Sequence, residues 1–145
     1  MKQLDFNECY NEIKEILEKE KSIVLCTSNG DKVSARTVFF AFYKDCIYFV
    51  TSKAYSKCKQ IEKNPNVALC LLNLQVEGIA LFIGHPKSDE NKEIYNKCLK
   101  NCPEMDHYCK YKNTVLIEIN INKIGMWKKG REYIDLNKKN AYRIG

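Results

Sequence analysis

The chain has 145 residues, of which 45% are apolar and 11% aromatic, and its 24 Lys and Arg outnumber 18 Asp and Glu for a net charge of +6. This composition excludes a disordered chain and fits one globular domain over residues 1–145. No apolar stretch reaches membrane-span length and the polar N-terminus lacks a signal-peptide pattern, so we expect a cytoplasmic protein with no membrane partner. The charge is spread out and mostly Lys, which suits an anionic small molecule or a weak encounter with nucleic acid; we predict no nucleic-acid partner.

Apolar periodicity predicts a first helix over residues 5–20. Asn29-Gly30 and Lys44-Asp45 mark tight turns, because these residue types tolerate the backbone of short hairpins. They separate three predicted strands, at residues 22–27, 33–43 and 46–51. A second helix over residues 54–63 ends at Asn64-Pro65.

The second half of the chain continues the pattern. Two segments rich in β-branched and apolar residues predict a hairpin at residues 67–73 and 77–85. Residues 88–101 are predicted as a helix, because acidic residues open the segment and Pro103 follows it. Three further strands are predicted at residues 114–121, 125–133 and 141–144. The result is an α+β domain on a small antiparallel barrel or a strongly curled sheet.

Eight cysteines are present, and three of them lie in apolar strands where a free thiol behaves as a small hydrophobe. Four soft ligands also cluster within twelve positions: Cys98, Cys102, His107 and Cys109. This cluster is either a zinc site or a set of reduced thiols on a helical hairpin. The spacing matches no common zinc finger or ribbon, so we favour reduced thiols and predict no metal.

The familiar catalytic and nucleotide-binding motifs are absent from the sequence, and neither of its two histidines sits in a nucleophile–base pattern. A chain with a core but no acid–base machinery often leaves the chemistry to a cofactor. We therefore leave the catalytic residues unassigned.

Two segments indicate an anion site. Arg36 lies within an otherwise apolar predicted strand, where its charge is costly to bury without an anion. The alternative is that its guanidinium snorkels to an edge or pairs with a carboxylate. Residues 50–60 place hydroxyls and lysines where a strand opens into a helix, a setting that suits phosphate, although ordinary capping by Ser52 also explains it. We predict that Arg36 and Thr51 lie on adjacent strands and face one phosphate.

In this order, the initial helix, the Asn-Gly hairpin, "ARTV", "CIYFVTSKAYSKCKQIEKNPNVAL" and "GIALFIG" resemble the pyridoxamine 5′-phosphate oxidase-like family of flavin-binding proteins. The resemblance covers residues 1 to about 121, and is to the short stand-alone bacterial members that include the nitroimidazole-resistance type. It implies a six-stranded antiparallel split β-barrel with flanking helices, and a homodimer with FMN at the subunit interface. The FMN-binding residues that it implies are Arg36, Thr37, Val38, Val50, Thr51, Ser52, Ser56 and Lys57.

The sequence departs from true oxidases of this family at several positions. They carry Ser-Arg-Lys where this chain has Tyr55-Ser56-Lys57, and we predict that Lys53 replaces the missing Arg. On a helix beginning near Ser52, Lys53 and Lys57 would share a face. The Arg-rich C-terminal stretch that grips pyridoxine phosphate is not recognisable in residues 126–145. The flavin site therefore carries over, whereas the vitamin B6 substrate site does not.

The leading prediction is an FMN-dependent oxidoreductase acting on a flavin, quinone or nitro compound, with an electron donor such as NAD(P)H. Tyr55 and Trp127 are candidates to cover the flavin ring. A non-catalytic flavin- or haem-binding module is the alternative, and a nucleic-acid or regulatory binder is a third class. The segment from Val38 to Phe42 is apolar at almost every position, so we expect a second subunit to cover one of its faces.

Overall fold

The computed structural model describes residues 1–108 and 111–145, with every side chain in those ranges except that of Tyr108. In this part of the chain there are three α-helices, α1 (Phe6–Lys19), α2 (Ser56–Lys63) and α3 (Lys92–Asn101), and one 3₁₀ helix (Pro103–Tyr108). The ten strands are β1 (Lys2–Leu4), β2 (Ser22–Ser28), β3 (Val33–Phe39), β4 (Ala41–Tyr43), β5 (Cys46–Ser52), β6 (Asn66–Leu71), β7 (Leu74–Phe82), β8 (Thr114–Trp127), β9 (Arg131–Asp135) and β10 (Asn140–Ile144). None of the described helices is both long and apolar enough to span a membrane.

The α+β class is confirmed, but the count of six strands is not, because ten are present in the described ranges. The predicted strand over residues 33–43 breaks at Phe40 into β3 and β4. The predicted strand over residues 125–133 is wrong: β8 runs on to Trp127, and β9 starts at Arg131 after a turn. The three-residue β1 was not predicted.

All strand pairs are antiparallel and join into one sheet. Within it, hydrogen-bonded neighbours follow the order β3–β2–β6–β7–β8–β5, and β9, β10 and β1 extend the sheet from the distal part of β8. The two ends of this curled run, β3 and β5, contact each other without forming a ladder. The arrangement is consistent with a split barrel, in which the sheet curls round and leaves an opening between β3 and β5.

Local chemistry explains the tight points of the sheet. Lys44 and Asp45 both have positive φ, at 48° and 66°, as a two-residue hairpin turn of the primed type requires. In β7 the pairing register with β8 shifts between Glu77 and Gly78. A Cβ atom at Gly78 would lie 2.6 Å from the backbone oxygen of Asn120, so only glycine fits this bulge.

Two apolar clusters hold the fold together. The larger lies inside the curled sheet under α1 and α2 and includes Ile13, Leu25 and Phe49, each with no exposed surface. The smaller lies on the other face of β4, β5 and β8 and is covered by α3 and the 3₁₀ helix, with Cys98 and Cys102 among its members. Because α3 and the 3₁₀ helix cover this outer face, β4 is buried on both faces within one chain.

The expectation that a second subunit covers the apolar segment from Val38 to Phe42 needs correction. Phe40, Ala41 and Phe42 are at most 4% exposed in the single chain, so their burial needs no partner. The sequence-based expectation was wrong at these three residues, because Phe40 and Phe42 pack in the inner cluster and the helix predicted at 88–101 covers Ala41 on the outer face. Phe39 differs, since its side chain is 37% exposed beside the opening between β3 and β5.

Candidate functional site

A cavity of about 240 Å³ lies at this opening, between β3, β5, the loop before α2 and the 3₁₀ helix. Six of the nine residues predicted to bind a cofactor line it: Thr37, Val38, Val50, Thr51, Ser52 and Lys57. The remaining three, Arg36, Lys53 and Ser56, do not line it. Most of the predicted residues therefore lie together, and their binding role stays a prediction. The prediction that Arg36 and Thr51 lie on adjacent strands is wrong, because β3 and β5 are not hydrogen-bonded to each other.

Thr51 gives the cavity wall an unsatisfied polar group. The residue is only 4% exposed, and its Oγ1 is buried without a hydrogen-bond partner among the described residues. A buried hydroxyl without a partner costs roughly 1–3 kcal/mol. Such a group in a native fold indicates that something outside the chain's own described residues satisfies it.

Lys57 lies on the first turn of α2 and lines the same cavity as this hydroxyl. Its ammonium is half-buried and stacks over the Tyr55 ring with 4.8 Å from Nζ to the ring centroid. Burial lowers the pKa of Lys57, and the positive charge of Arg36 lowers it further. Among the described residues it makes no salt bridge.

Arg36 lies behind the cavity wall, held by neutral acceptors. Its Nη1 donates to the Leu25 carbonyl at 3.2 Å and to Thr27 Oγ1 at 2.8 Å, and its Nη2 donates to Gln60 Oε1 at 3.4 Å. Burial lowers the pKa of the guanidinium. β3 is an edge strand with alternating exposure, so the expectation of an apolar environment along the whole strand was wrong. The phosphate partner of Arg36 stays a prediction.

The loop between β5 and α2 departs from the prediction. The helix begins at Ser56 rather than near Ser52, so Lys53 is in the loop and the predicted helix face shared by Lys53 and Lys57 is wrong. Ser52 Oγ accepts from the Ala54 N–H at 3.2 Å within the loop, so the alternative of helix capping by Ser52 is wrong as well; Tyr55 is the N-cap and makes no side-chain cap hydrogen bond. Both Lys53 and Ser56 are exposed outside the cavity lining.

Much of the cavity lining is apolar, and this part was mostly missed by sequence reasoning. Met105 of the 3₁₀ helix lines it, together with Phe39, Tyr55 and Tyr111. Of these, only Tyr55 was considered, as a cover for a ring; Trp127 lies at the end of β8 outside the lining. No local motif indicates that the segment after Pro103 folds back over the opening, because that position depends on packing in the second cluster.

The predicted cysteine cluster is part of this supporting wall. Burial raises the pKa of the Cys98 thiol to about 12 and that of the Cys102 thiol to about 11. Both are therefore neutral near pH 7, as buried apolar thiols are. His107 is exposed and Cys109 lies outside the described residues. Within the described ranges, no group of three or more His, Cys, Asp or Glu side chains is arranged to hold a metal ion.

The fold and the cavity define a class: an α+β protein on a curled antiparallel sheet, with a cationic and hydroxyl-bearing site facing an apolar wall at the sheet opening. The sequence profile described as "Pyridoxamine 5'-phosphate oxidase" matches residues 10–128. The chain therefore belongs to the pyridoxamine 5′-phosphate oxidase family, as the resemblance predicted. Among curated proteins, none is significantly similar in sequence.

Solved structures share the fold. General Stress Protein 26 from Bacillus anthracis is 25% identical with a TM-score of 0.68, and the match covers 89% of this chain and 99% of that one. HutZ, the haem storage protein from Vibrio cholerae, is 15% identical with a TM-score of 0.65, covering 77% and 88%. An FAD-binding protein from Mesorhizobium loti is 13% identical with a TM-score of 0.64, covering 84% and 93%.

Proposed function

We propose that the protein is an FMN-dependent oxidoreductase that binds FMN in this cavity at a homodimer interface. The unpartnered, buried hydroxyl of Thr51 beside the uncompensated ammonium of Lys57 is the observation that supports it. A phosphate supplies acceptor oxygens and negative charge, and it satisfies both groups at once. Thr37 and Ser52 add hydroxyls to the lining of the same cavity.

The apolar wall suits the other end of the same ligand. Phe39, Tyr55, Met105 and Tyr111 present ring faces and a thioether, which pack against a flat aromatic system. FMN joins such a ring system to a phosphate. When bound, its isoalloxazine would supply the electron transfer, while this chain's residues bind and orient it and exclude water.

We propose a flavin, quinone or nitro compound as substrate and NAD(P)H as donor. The relation to the nitroimidazole-resistance type stays a prediction.

The size of the cavity supports a second subunit. A volume of about 240 Å³ is below the roughly 300–1,000 Å³ of ordinary ligand pockets, so one chain encloses only part of an FMN. The outer face of β3, β2 and β6 carries a row of small apolar side chains, Ala35, Cys26 and Ala68, that are exposed or half-exposed and aligned across the strands. We propose this face as the homodimer contact, continuous with the cavity through Thr37 on β3.

Sedimentation tests the dimer. At micromolar concentration we expect about twice the chain mass, and Ala35→Arg should shift the protein toward monomer and weaken FMN binding because it places a charge in the contact. Asn11→Arg, at an exposed position on α1, is the surface control away from this face and should leave the dimer intact. A wild-type monomer that binds FMN tightly would contradict the interface site.

The main experiment compares FMN with riboflavin, which lacks the phosphate. The purified protein should be yellow with flavin absorbance, and Lys57→Met should weaken FMN binding about tenfold or more through loss of a charge-assisted contact. Riboflavin affinity should hardly change. Lys53→Met is the matched control, because it removes the same charge from the adjacent exposed loop, and should matter only at low salt. Equal, negligible effects of both changes would place the phosphate elsewhere.

A haem-binding module without catalysis is the second candidate. Two uncompensated cations near an apolar wall would also pair with haem propionates, which present carboxylates beside a flat ring. The two candidates separate spectroscopically, since added haem gives a Soret band and bound flavin gives bands in the blue. Tight haem binding with no flavin binding would replace the proposed function. Flavin binding without NAD(P)H-dependent reduction of any acceptor would leave a flavin-binding module.

A further inference from the structure

Behind the cavity wall, Gln60 is the one described glutamine whose side chain is buried, with 5% of its surface exposed. Its Oε1 accepts hydrogen bonds from Thr27 Oγ1 at 2.5 Å and from Arg36 Nη2 at 3.4 Å, and its Nε2 donates to Ser34 Oγ at 3.2 Å. A buried amide with three partners is fixed in orientation. This network was not found in the sequence, where Gln60 looks like any polar helix residue.

We propose that Gln60 is a positioning residue for the anion site, holding the Arg36 guanidinium charged and correctly turned for the ligand's phosphate. The proposal rests on the proposed function, because it names the part of the fold that prepares the same site. Gln60 itself is expected to make no contact with the ligand.

The first step of the argument is charge. The partners that Arg36 has in the described residues are a backbone carbonyl, a hydroxyl and an amide oxygen, all neutral. They orient the guanidinium without cancelling its charge. A glutamate at position 60 would reach the same atom but would form an ion pair and remove the cation from the site. An amide therefore fits an anion site, and a carboxylate does not.

The second step is geometry. The three hydrogen bonds of Arg36 leave from Nη1 and Nη2, and among the described residues Nε donates none. The Nε–H and the neighbouring Nη2–H form the edge of a guanidinium that grips an oxyanion in two places. Gln60 takes one of the two hydrogens on Nη2, so the Nε–H and the second Nη2 hydrogen have no acceptor among the described residues.

The third step is the helix. Gln60 and Lys57 are three residues apart on α2 and therefore share a face. The charge of Arg36 is close enough to lower the pKa of Lys57. The helix α2 thus fixes the two cations relative to each other, because it carries Lys57 and its Gln60 is hydrogen-bonded to Arg36.

The test uses the full-length protein and four variants: Gln60→Glu, Gln60→Met, Arg36→Ala and the control Gln3→Glu. Gln3 is exposed on β1, so its change adds the same negative charge away from α2. Affinities for FMN and riboflavin are measured for each. Gln60→Glu should lower FMN affinity about tenfold or more, as Arg36→Ala does, and leave riboflavin affinity within about twofold. In Gln60→Met the loss should be several-fold, because Arg36 keeps its charge but loses one anchor.

Coupling between the two residues separates positioning from general damage. In the double variant Gln60→Glu/Arg36→Ala, FMN affinity should fall no further than in Arg36→Ala alone. Riboflavin binding reports that the cavity is folded; if Gln60→Glu loses it, Gln60→Met decides. The ratio of FMN to riboflavin affinity then decides between the outcomes. If Arg36→Ala lowers this ratio and the Gln60 variant that still binds riboflavin does not, the role of Gln60 is overturned and the proposed function is kept. An unchanged ratio in Arg36→Ala as well as in the Gln60 variants would overturn the role of Arg36 and with it this proposal.

Discussion

Two arginines of this chain lie in contrasting surroundings. Arg143 on β10 donates from Nε and Nη2 to Glu132 Oε2, at 3.2 and 2.7 Å, and the Glu132 side chain is only 3% exposed. Lys128 joins the same group, with its Nζ 3.7 Å from Glu132 and 2.7 Å from Glu12. Arg36 and Lys57 are a similar pair of partly buried cations, but in the described residues they have no carboxylate partner.

The pKa directions follow this difference. Carboxylate partners, Glu12 first, raise the pKa of Lys128, whereas burial and the charge of Arg36 lower that of Lys57. In the C-terminal group each positive charge is paired with a carboxylate, and these pairs connect β9 and β10 to α1. Arg36 and Lys57 have no such balancing charge in the described residues. Cations of the same kind thus stabilise the fold in one region, and in the other they are the groups to which we assign the ligand in the proposed function.

The largest expected effect is on the free energy of unfolding, when each of the two arginines is replaced. Arg143→Ala leaves the buried Glu132 carboxylate without its main partner, and should lower the free energy of unfolding by about 3 kcal/mol. Arg36→Ala should cost only about 1 kcal/mol, because the lost hydrogen bonds are partly offset by relief of an unpaired, desolvated charge. Urea denaturation of both variants without ligand measures this. A greater loss in Arg36→Ala would show that Arg36 is mainly structural.

Two buried threonines near the cavity are expected to respond in opposite directions when their hydroxyls are removed. Thr51→Val removes a hydroxyl without a partner, and should raise the unfolding free energy of the ligand-free protein by about 1 kcal/mol. Thr27→Val removes a hydroxyl bonded to Gln60 and Arg36, and should lower it by about the same amount. FMN affinity should fall in both. Destabilisation by both changes would mean that Thr51 has a partner after all.

Most helices and strands could be predicted from the sequence, because turn residues and apolar periodicity are local signals. Hairpin turns such as Asn29-Gly30 and the strand periodicity predicted most elements, and several residues between Thr51 and Lys57 line the cavity. The remainder depends on contacts distant in sequence. Met105 reaches the cavity only because α3 packs on β4, and Gln60 is distinguishable from other helix glutamines only once β2 and β3 lie beneath α2. The helix start at Ser56 was misjudged because Ser52 caps a turn of the loop instead.

The smallest effect concerns pH. The pKa of Lys57 lies below the 10.5 of an ordinary lysine, because burial and Arg36 disfavour its charge. As pH rises through this lowered pKa, the ammonium is lost and FMN affinity should fall about fivefold, roughly the difference between a charge-assisted and a neutral hydrogen bond. The phosphate stays doubly ionised throughout, since its second pKa is about 6.

Stability should move the opposite way over the same range. A lysine whose pKa is lower in the folded state binds fewer protons there than in the unfolded chain, so its contribution to stability rises with pH between the lowered pKa and 10.5. Titrations of FMN binding and urea unfolding from pH 7 to about 10.5, in wild type and Lys57→Met, measure both trends. The fall in affinity should be absent from Lys57→Met, and the stability trend of Lys57 is the difference between the two proteins, because the buried thiols and tyrosines with raised pKa titrate in both. Arg36→Gln should move the fall in affinity to higher pH, because it removes the neighbouring charge. A profile that is the same in wild type and Lys57→Met would show that the ammonium does not contact the phosphate.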